Sequence, residues 1–286
     1  MNIGLVGCGA MGSGMAQNIL KSGHSVYVHD DMSKWRKQLE KQGVKFVDLN
    51  TLVQEARYIL LSLPSPQILE DLMLGDDGMI AHLPAESFIF DLGTTDVQTT
   101  QMIHTRAAEK GIHYLDCPVS GGPAGAAAGT LTIVAGGDTS GFQRAKFVLD
   151  IVGQKITYVG EAGTAQAIKL CNNMLVAGIT ALLSETMTVA GEHGISNQML
   201  ADMIQQSSGQ NKVLNIFGEN LVNKEFDNVL FYLEHMAKDL EHYMELSTRS
   251  KTPQYVTSTV NQLYRSALQK GKGRQDSTAV YSVISE

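Results

Sequence analysis

The sequence has few cysteines and no excess of basic residues, and each absence excludes a class of protein. Its three cysteines, Cys8, Cys117 and Cys171, are an odd and widely spaced set that resembles neither a disulfide framework nor a zinc cluster. We therefore expect a reduced, cytoplasmic chain. Lys and Arg total 22 against 29 Asp and Glu, a formal net charge of -7, and no basic run is present. Since nucleic-acid binding needs clustered basic charge, we expect no nucleic-acid partner.

Long hydrophobic runs and a leader-like N-terminus are also lacking. The most apolar helical segment, 170–183, is shorter than a bilayer span and is interrupted by Asn172 and Asn173. The first residues include no basic segment and lead into a strand-like stretch, so we expect no signal peptide. The eight histidines form no metal-binding signature. These features predict a soluble protein with no membrane partner and no metal site.

Hydrophobic residues make up 43% of the 286 residues, enough for one large domain or two of ordinary size. Up to about residue 160, short β-rich runs alternate with helical stretches, which predicts βαβ units and a mostly parallel sheet. The predicted strands are 3–6, 25–29, 58–63, 87–91, 113–116 and 131–135, and the predicted helices include 11–22, 33–42 and 97–110. After about Gly163 apolar residues recur at helical spacing, which predicts helices over 165–193, 197–206, 213–220, 233–249 and 253–269. We therefore predict an α/β domain followed by an all-α domain.

The segment GCGAMG at positions 7–12 directly follows a predicted strand and opens a predicted helix. Each glycine has a mechanical reason in a dinucleotide site. Gly7 permits the tight turn, Gly9 lets the backbone approach a pyrophosphate, and Gly12 allows close packing of helix and strand. Because strand, turn and helix agree, we interpret the segment as a cofactor site. A purely structural glycine turn is the alternative.

The helix that this segment opens would offer the N–H groups of Ala10 and Met11, and a partial positive charge, to that phosphate. Asp30 ends the second predicted strand, with Asp31 beside it. A carboxylate there accepts hydrogen bonds from ribose hydroxyls and repels the 2′-phosphate of NADP. Because no basic side chain occurs before Lys34, the pattern favours NAD over NADP. The alternative is an Asp that only caps a turn.

Two further segments suit a substrate. Ser120, Gly121 and Gly122 expose backbone N–H groups and a hydroxyl in a small space, which suits a carboxylate, although a tight loop is the commoner explanation for such a segment. Lys169 and Asn173 are four residues apart in the long helix and share a face, so the Asn173 amide oxygen could orient the ammonium group. A snorkelling surface lysine is the alternative.

In their order along the chain, these segments resemble the β-hydroxyacid dehydrogenase family, which includes 3-hydroxyisobutyrate dehydrogenase and tartronate semialdehyde reductase. The resemblance covers essentially the whole chain, in the segments 7–12, 91–94, 116–122, 163–173, 238–240 and 271–280. It implies a Rossmann-type dinucleotide-binding domain over 1–162 and an all-helical substrate and dimerisation domain over 163–286, with the active site between them. It also implies a homodimer or homotetramer. Gly93 and Asp96 depart from the family pattern, which usually has Ser and often Pro there.

The resemblance assigns roles to the candidate residues. Lys169 would be the general acid and base, and Asn173 would support it and contact the substrate. The segment 120–122, Ser-Gly-Gly, would bind the carboxylate region of the substrate. Thr94 would lie against the nicotinamide side of the cofactor. Lys238 would contact the cofactor from the helical domain, although on sequence alone Lys238 and its neighbour are an ordinary exposed ion pair.

The predicted function is NAD-dependent hydride transfer between a small 3-hydroxy acid and the cofactor, or reduction of the matching semialdehyde in reverse. One alternative is an NADPH-dependent reductase of succinic or tartronate semialdehyde, which Asp30 disfavours. Another is a dinucleotide-sensing or scaffold protein, which the presence of Lys169 and Asn173 disfavours.

Overall fold

The computed structural model describes residues 1–30, 32–75 and 77–285. The chain divides into two compact units, Met1–Lys169 and Leu170–Glu286, here called the first and second unit. The division falls inside a helix, so residues 163–169 belong to the first unit. The predicted domain boundary after residue 162 stays a prediction.

The first unit is built on one sheet of nine strands, counted over the described residues. The strands are β1 (Asn2–Val6), β2 (Ser25–His29), β3 (Lys45–Phe46), β4 (Tyr58–Leu61), β5 (Phe88–Asp91), β6 (His113–Asp116), β7 (Val119–Ser120), β8 (Leu131–Gly137) and β9 (Gly153–Gly160). Their order is β3-β2-β1-β4-β5-β6-β8-β7, with β9 beside β8. Strands β1 to β6 pair in parallel, whereas β8 runs antiparallel to β6 and β7. The order 3-2-1-4-5-6 is that of a Rossmann sheet, which confirms the predicted fold class.

Helices pack on both faces of this sheet. They are α1 (Ala10–Lys21), α2 (Arg36–Gln42), α3 (Leu49–Glu55), α4 (Pro66–Leu74), α5 (Met79–His82), α6 (Val97–Glu109), α7 (Gly122–Ala128) and α8 (Thr139–Leu149). Successive strand residues point to opposite faces, so Leu60 enters one apolar cluster while Ile59 and Leu61 enter another. Because both faces are buried, the central strands are continuous apolar runs.

The second unit is helical throughout its described residues. Helix α9 (Thr164–Glu192) begins in the first unit and continues into the second. It is followed by α10 (Asn197–Gln205), α11 (Lys212–Asn223), α12 (Leu233–Arg249), α13 (Tyr255–Gln269), a 3-10 helix (Ser277–Val280) and α14 (Tyr281–Ile284). Two apolar clusters form its core, one around Leu240 and Tyr264 and one around Met187 and Leu221. The predicted all-α second part is confirmed.

Helix α9 has 29 residues and includes an 18-residue window with a mean hydropathy of 1.5. By length and composition it is the one helix of the described residues that could cross a membrane, and 44% of that window is buried inside the protein. The segment 170–183 is therefore part of a longer apolar helix, and shortness does not exclude a span. A long core helix of a soluble protein has the same properties.

Candidate active site

Several candidate residues of the first unit follow strand ends along one edge of the sheet. The register pairs Val6 with both His29 and Leu61, Leu61 with Asp91, and Asp91 with Asp116. The carboxyl ends of β1, β2, β4, β5 and β6 therefore lie in one row. In open parallel sheets, ligands bind outside this edge where the strand order reverses, which here is between β1 and β4.

The glycine segment after β1 has the geometry of a phosphate-binding turn. Gly7 has a φ of +87°, and a Cβ on it would lie 2.3 Å from the Ser62 carbonyl oxygen. A Cβ on Gly12 would lie 2.1 Å from the Gly7 carbonyl oxygen. By contrast, a Cβ on Gly9 would meet no atom of the described residues within 4 Å. Gly9 is the N-cap of α1, and no described side chain caps that helix, so a phosphate could accept from its first N–H groups.

Asp30 lies against this glycine segment. Its Oδ2 accepts a hydrogen bond from the Cys8 N–H at 2.6 Å, and its Oδ1 accepts one from the Met32 N–H at 2.9 Å. The Ser33 hydroxyl donates to the Cys8 carbonyl oxygen at 2.7 Å. The carboxylate thus stabilises the turn and also lies beside the loop that would hold a pyrophosphate, so the two interpretations of Asp30 are compatible. The predicted second carboxylate, Asp31, lies outside the described residues.

The loop that carries Thr94 is anchored on a buried carboxylate that the sequence did not single out. Asp91 Oδ1 accepts from the Gly93 N–H at 3.0 Å, and Oδ2 accepts from the Thr95 hydroxyl at 3.2 Å and the Tyr114 hydroxyl at 3.0 Å. Burial raises the pKa of Asp91 to about 6, although these three donors oppose the rise. Asp91 therefore has a structural role, since its hydrogen bonds to Gly93 and Thr95 fix the loop on both sides of Thr94, which is half-buried.

A second buried carboxylate fixes the start of α9. Asp116 Oδ1 accepts from the Gly163 N–H at 3.1 Å, and Oδ2 accepts from the Gln166 N–H at 3.1 Å. Burial raises the pKa of Asp116 above its usual value. The helix that bears Lys169 is thereby tied to the end of β6.

Lys169 and Ser120, predicted separately, come together in the first unit. The Lys169 ammonium donates to the Ser120 Oγ at 3.2 Å. Ser120 ends β7, where it pairs with Thr132 of β8, so the hydroxyl projects from a fixed strand end. Gly121 follows with a φ of +132°, a conformation that side chains rarely adopt. An amine, a hydroxyl and glycine N–H groups can together bind an acid and move a proton.

Asn173 and Lys238, predicted to contact substrate and cofactor, are linked in the second unit by Asp239, the sequence neighbour of Lys238, which is buried rather than part of an exposed pair. Asp239 is 1% exposed, and its Oδ2 accepts from Asn173 Nδ2 at 2.6 Å. Its Oδ1 lies 3.1 Å from Lys238 Nζ. The Asn173 amide oxygen accepts from Asn172 Nδ2 at 3.1 Å. The expectation that this oxygen orients Lys169 stays a prediction.

The predicted site residues thus form two groups. The first unit holds the glycine segment, Asp30, Thr94, Lys169 and the 120–122 loop, and the second unit holds Asn173 and Lys238. In the described residues, no group of three or more His, Cys, Asp or Glu could hold a metal ion.

Comparisons with known proteins match nearly the whole chain in two parts. Residues 2–160 match the NAD binding domain of 6-phosphogluconate dehydrogenase, and residues 163–284 match the NAD-binding domain of NADP-dependent 3-hydroxyisobutyrate dehydrogenase. The chain is 33% identical to a 2-(hydroxymethyl)glutarate dehydrogenase of Eubacterium barkeri, with 99% of this chain and 94% of that protein covered. It is 33% identical to an NAD-dependent L-serine dehydrogenase of Pseudomonas aeruginosa, with coverage of 99% and 97%. The solved structure of a 3-hydroxyisobutyrate dehydrogenase of Mycobacterium tuberculosis with L-serine has a TM-score of 0.90, 28% identity and coverage of 100% and 99%.

Proposed function

The chain belongs to the β-hydroxyacid dehydrogenase family and is an NAD-dependent hydroxyacid dehydrogenase, and we propose that Lys169 is its general acid and base. The observation that carries this proposal is the 3.2 Å contact between Lys169 Nζ and Ser120 Oγ, and Ser120 is followed in the chain by Gly121 and Gly122. A proton-transfer group must lie within hydrogen-bond reach of the reacting hydroxyl, and a ligand carboxylate on this loop would bring a hydroxyl there.

The substrate class that we propose is a small 3-hydroxy acid, in which the hydroxyl lies on the second carbon from the carboxyl carbon. The names of the relatives support this class. 2-(Hydroxymethyl)glutarate, 3-hydroxyisobutyrate and L-serine each combine a carboxylate with a hydroxyl at that separation. The Ser120 hydroxyl and the glycine N–H groups would hold the carboxylate, because charged acceptors favour such donors.

Catalysis in this proposal separates hydride transfer from proton transfer. The glycine segment 7–12 and Asp30 would hold NAD, which when bound would supply the hydride acceptor. In oxidation, the neutral amine of Lys169 takes the hydroxyl proton as the hydride leaves the carbinol carbon. In reduction, the Lys169 ammonium returns that proton to the oxygen. Thr94, Asn173 and Lys238 stay proposed contacts of the cofactor and substrate.

The second candidate function, an NADPH-dependent semialdehyde reductase, is disfavoured by one contact. The Asp30 carboxylate lies on the glycine segment, where its charge would repel the 2′-phosphate of NADP. We therefore propose NAD as the preferred form of the cofactor.

We predict that Lys169→Met lowers kcat by about 10²–10⁴, the usual contribution of general acid–base catalysis. Wild type and variant would be screened by NADH absorbance with 3-hydroxyisobutyrate, L-serine and 2-(hydroxymethyl)glutarate, and NAD binding would be measured by calorimetry. NAD should still bind, and Lys169→Arg should not restore turnover, because a guanidinium barely deprotonates. Lys155→Met, on the exposed part of β9, is the control and should keep wild-type kcat. Near-normal turnover of Lys169→Met would mean that another group accepts the proton.

We also propose a homodimer or homotetramer that packs through the second unit. In α9, Leu175, Leu182 and Val189 are 65%, 64% and 56% exposed and follow one another at intervals of seven residues. Residues at this spacing share a helix face, and exposed apolar faces of this kind commonly pack against another helix. A second copy of the chain is the partner that we propose for this face.

A cytoplasmic location, with no nucleic-acid or membrane partner, likewise stays a proposal. Its support is the state of the cysteines, since all three are free thiols. Burial raises the pKa of Cys8 to about 11, so this thiol is protonated and unreactive.

A further inference from the structure

Gln166 makes an unusual pair of contacts with the loop that carries Thr94. Its side chain is fully buried in the first turn of α9. The side-chain Oε1 accepts a hydrogen bond from the Thr95 N–H at 3.1 Å, and Nε2 donates to the Gly93 carbonyl oxygen at 3.0 Å. These two backbone groups stand on either side of Thr94, so the carboxamide pairs with the loop as a neighbouring strand would. The pairing uses one donor and one acceptor, which an amide supplies together.

The backbone of Gln166 is in turn held by the buried carboxylate of Asp116. The Gln166 N–H donates to Asp116 Oδ2, and the Gly163 N–H donates to Asp116 Oδ1, both at 3.1 Å. One helical turn after Gln166 comes Lys169, whose ammonium contacts Ser120. A single residue therefore connects the Thr94 loop, the end of β6 and the helical turn that carries the lysine.

We propose that Gln166 is a positioning residue that fixes the Thr94 loop relative to Lys169. This inference rests on the proposed function, in which Thr94 lies against the nicotinamide and Lys169 accepts the proton. The hydride and the proton leave neighbouring atoms, the carbon and oxygen of one carbinol bond. The two acceptors must therefore be held at a set separation, and a displacement of about 1 Å can lower the rate by about 10²-fold.

The first test replaces Gln166 with Met, which has similar length but makes neither hydrogen bond. We expect kcat with 3-hydroxyisobutyrate to fall by about 10²-fold, while the NAD dissociation constant and the substrate KM change by less than about threefold. With substrate deuterated at the carbinol carbon, the isotope effect on kcat should increase, because hydride transfer then limits turnover rather than a release step.

Asn220→Leu is the matched control. Asn220 is a buried amide of α11 that donates to the Asn228 carbonyl oxygen at 2.8 Å and accepts from Asn228 Nδ2 at 3.3 Å. Its loss should lower the melting temperature, as loss of buried hydrogen bonds does, but should leave kcat and the isotope effect unchanged. Equal kinetic changes in both variants would overturn the positioning role.

Gln166→Glu provides a second test, the pH dependence of kcat, which can be used even if Gln166→Met does not fold. A protonated Glu can accept from the Thr95 N–H and donate to the Gly93 carbonyl, whereas an ionised Glu cannot donate. Burial beside Asp116 favours the protonated acid. The ratio of variant to wild-type kcat should therefore increase at least fivefold as the pH falls from 8 to 6. A ratio that is low and independent of pH would contradict the inference, whereas a ratio near one at both pH values would mean that the Glu stays protonated and keeps both hydrogen bonds.

The last readout does not depend on activity. Exchange of the Thr95 amide hydrogen, measured by NMR without cofactor, should become at least tenfold faster in Gln166→Met, because its acceptor is lost. If Lys169→Met is inactive but Gln166→Met has normal kcat and isotope effect, the positioning role fails and the proposed function stands. If the wild type oxidises none of the acids, the proposed function fails, and unchanged Thr95 exchange would then separately overturn the positioning role.

Discussion

At the scale of single residues, Asp91 makes the free energy of unfolding depend on pH. Its carboxylate is buried beneath the Thr94 loop, and its pKa is raised from 3.8 to about 6 by that burial. The unfolded chain therefore loses this proton at lower pH than the folded chain does. Between about pH 4 and 6 the unfolded state binds fewer protons, so the free energy of unfolding must fall as the pH rises.

We predict that Asp91→Asn removes this pH dependence. The free energy of unfolding of the wild type minus that of Asp91→Asn should fall by about 2 kcal/mol between pH 4 and pH 7, since each pKa unit is worth about 1.36 kcal/mol and part of the shift is already lost at pH 4. Most of the change should occur below pH 6, and urea unfolding of both proteins across this range would measure it. If the free energies of unfolding of the two proteins changed in parallel with pH, burial would not raise the pKa of Asp91.

Asp30 gives a second prediction at this scale. Asn at position 30 keeps an oxygen for the Cys8 N–H but loses the charge that repels a 2′-phosphate. The ratio of kcat/KM with NAD to kcat/KM with NADP should fall tenfold to hundredfold, as expected for a charged contact of about 1.5–3 kcal/mol. Asp48→Asn, which alters the N-cap of α3, should leave the ratio unchanged. The same ratio in both variants would show that Asp30 does not face the ribose.

The residues that the sequence could identify are those whose type alone limits their role. Gly7 and Gly12 are fixed by local sterics, and Lys169 stands out as a cation in an apolar helix. Asp91, Asp116 and Gln166 also depend on hydrogen bonds to segments distant in sequence, so no local pattern reports their roles. A weak signal existed for two of them. The runs Phe88–Asp91 and His113–Asp116 each place an acid at the last position of an apolar strand.

At the scale of elements, the long periodic segments could be predicted and the short ones could not. The helix α12 has the predicted bounds, and β2 and β6 likewise agree. The two-residue strands β3 and β7 have no periodicity to detect, and β9 contains polar residues that obscure its alternation. Helix α7 forms in a Gly- and Ala-rich run that favours no structure by itself, and it packs on α1 through the bond of Asn18 to the Ala126 carbonyl oxygen. Helix α2 starts at Arg36 rather than Ser33, and the Ser33 hydroxyl donates to the Cys8 carbonyl oxygen and accepts from the Trp35 N–H.

At the scale of the whole molecule, the sequence identified the change from mixed to helical structure near residue 163 because the period of the apolar residues changes there. It could not locate the division between compact units, which depends on contacts and falls after Lys169. The proposed assembly also belongs to this scale, since in it a second copy would cover the exposed face of α9.

We predict that Leu182→Glu separates the proposed oligomer into smaller species. Leu182 is the central residue of the exposed α9 face, and a buried carboxylate against a second copy would be strongly unfavourable. Sedimentation velocity should show a dimer or tetramer for the wild type and a lower mass for the variant. Val256→Glu, equally exposed on α13, should keep the wild-type mass. A monomeric wild type would contradict the proposed assembly.

The three glycines of the 7–12 segment differ in what requires them, and the difference has an evolutionary consequence. A side chain at Gly7 or Gly12 collides with the protein's own backbone, whereas one at Gly9 meets no described atom within 4 Å. Selection for folding therefore acts on positions 7 and 12, and under the proposed function selection for ligand binding would act on position 9. A descendant that kept the fold but abandoned its cofactor would be free to change Gly9 first. The residue at that single position would then record whether such a lineage still uses a dinucleotide.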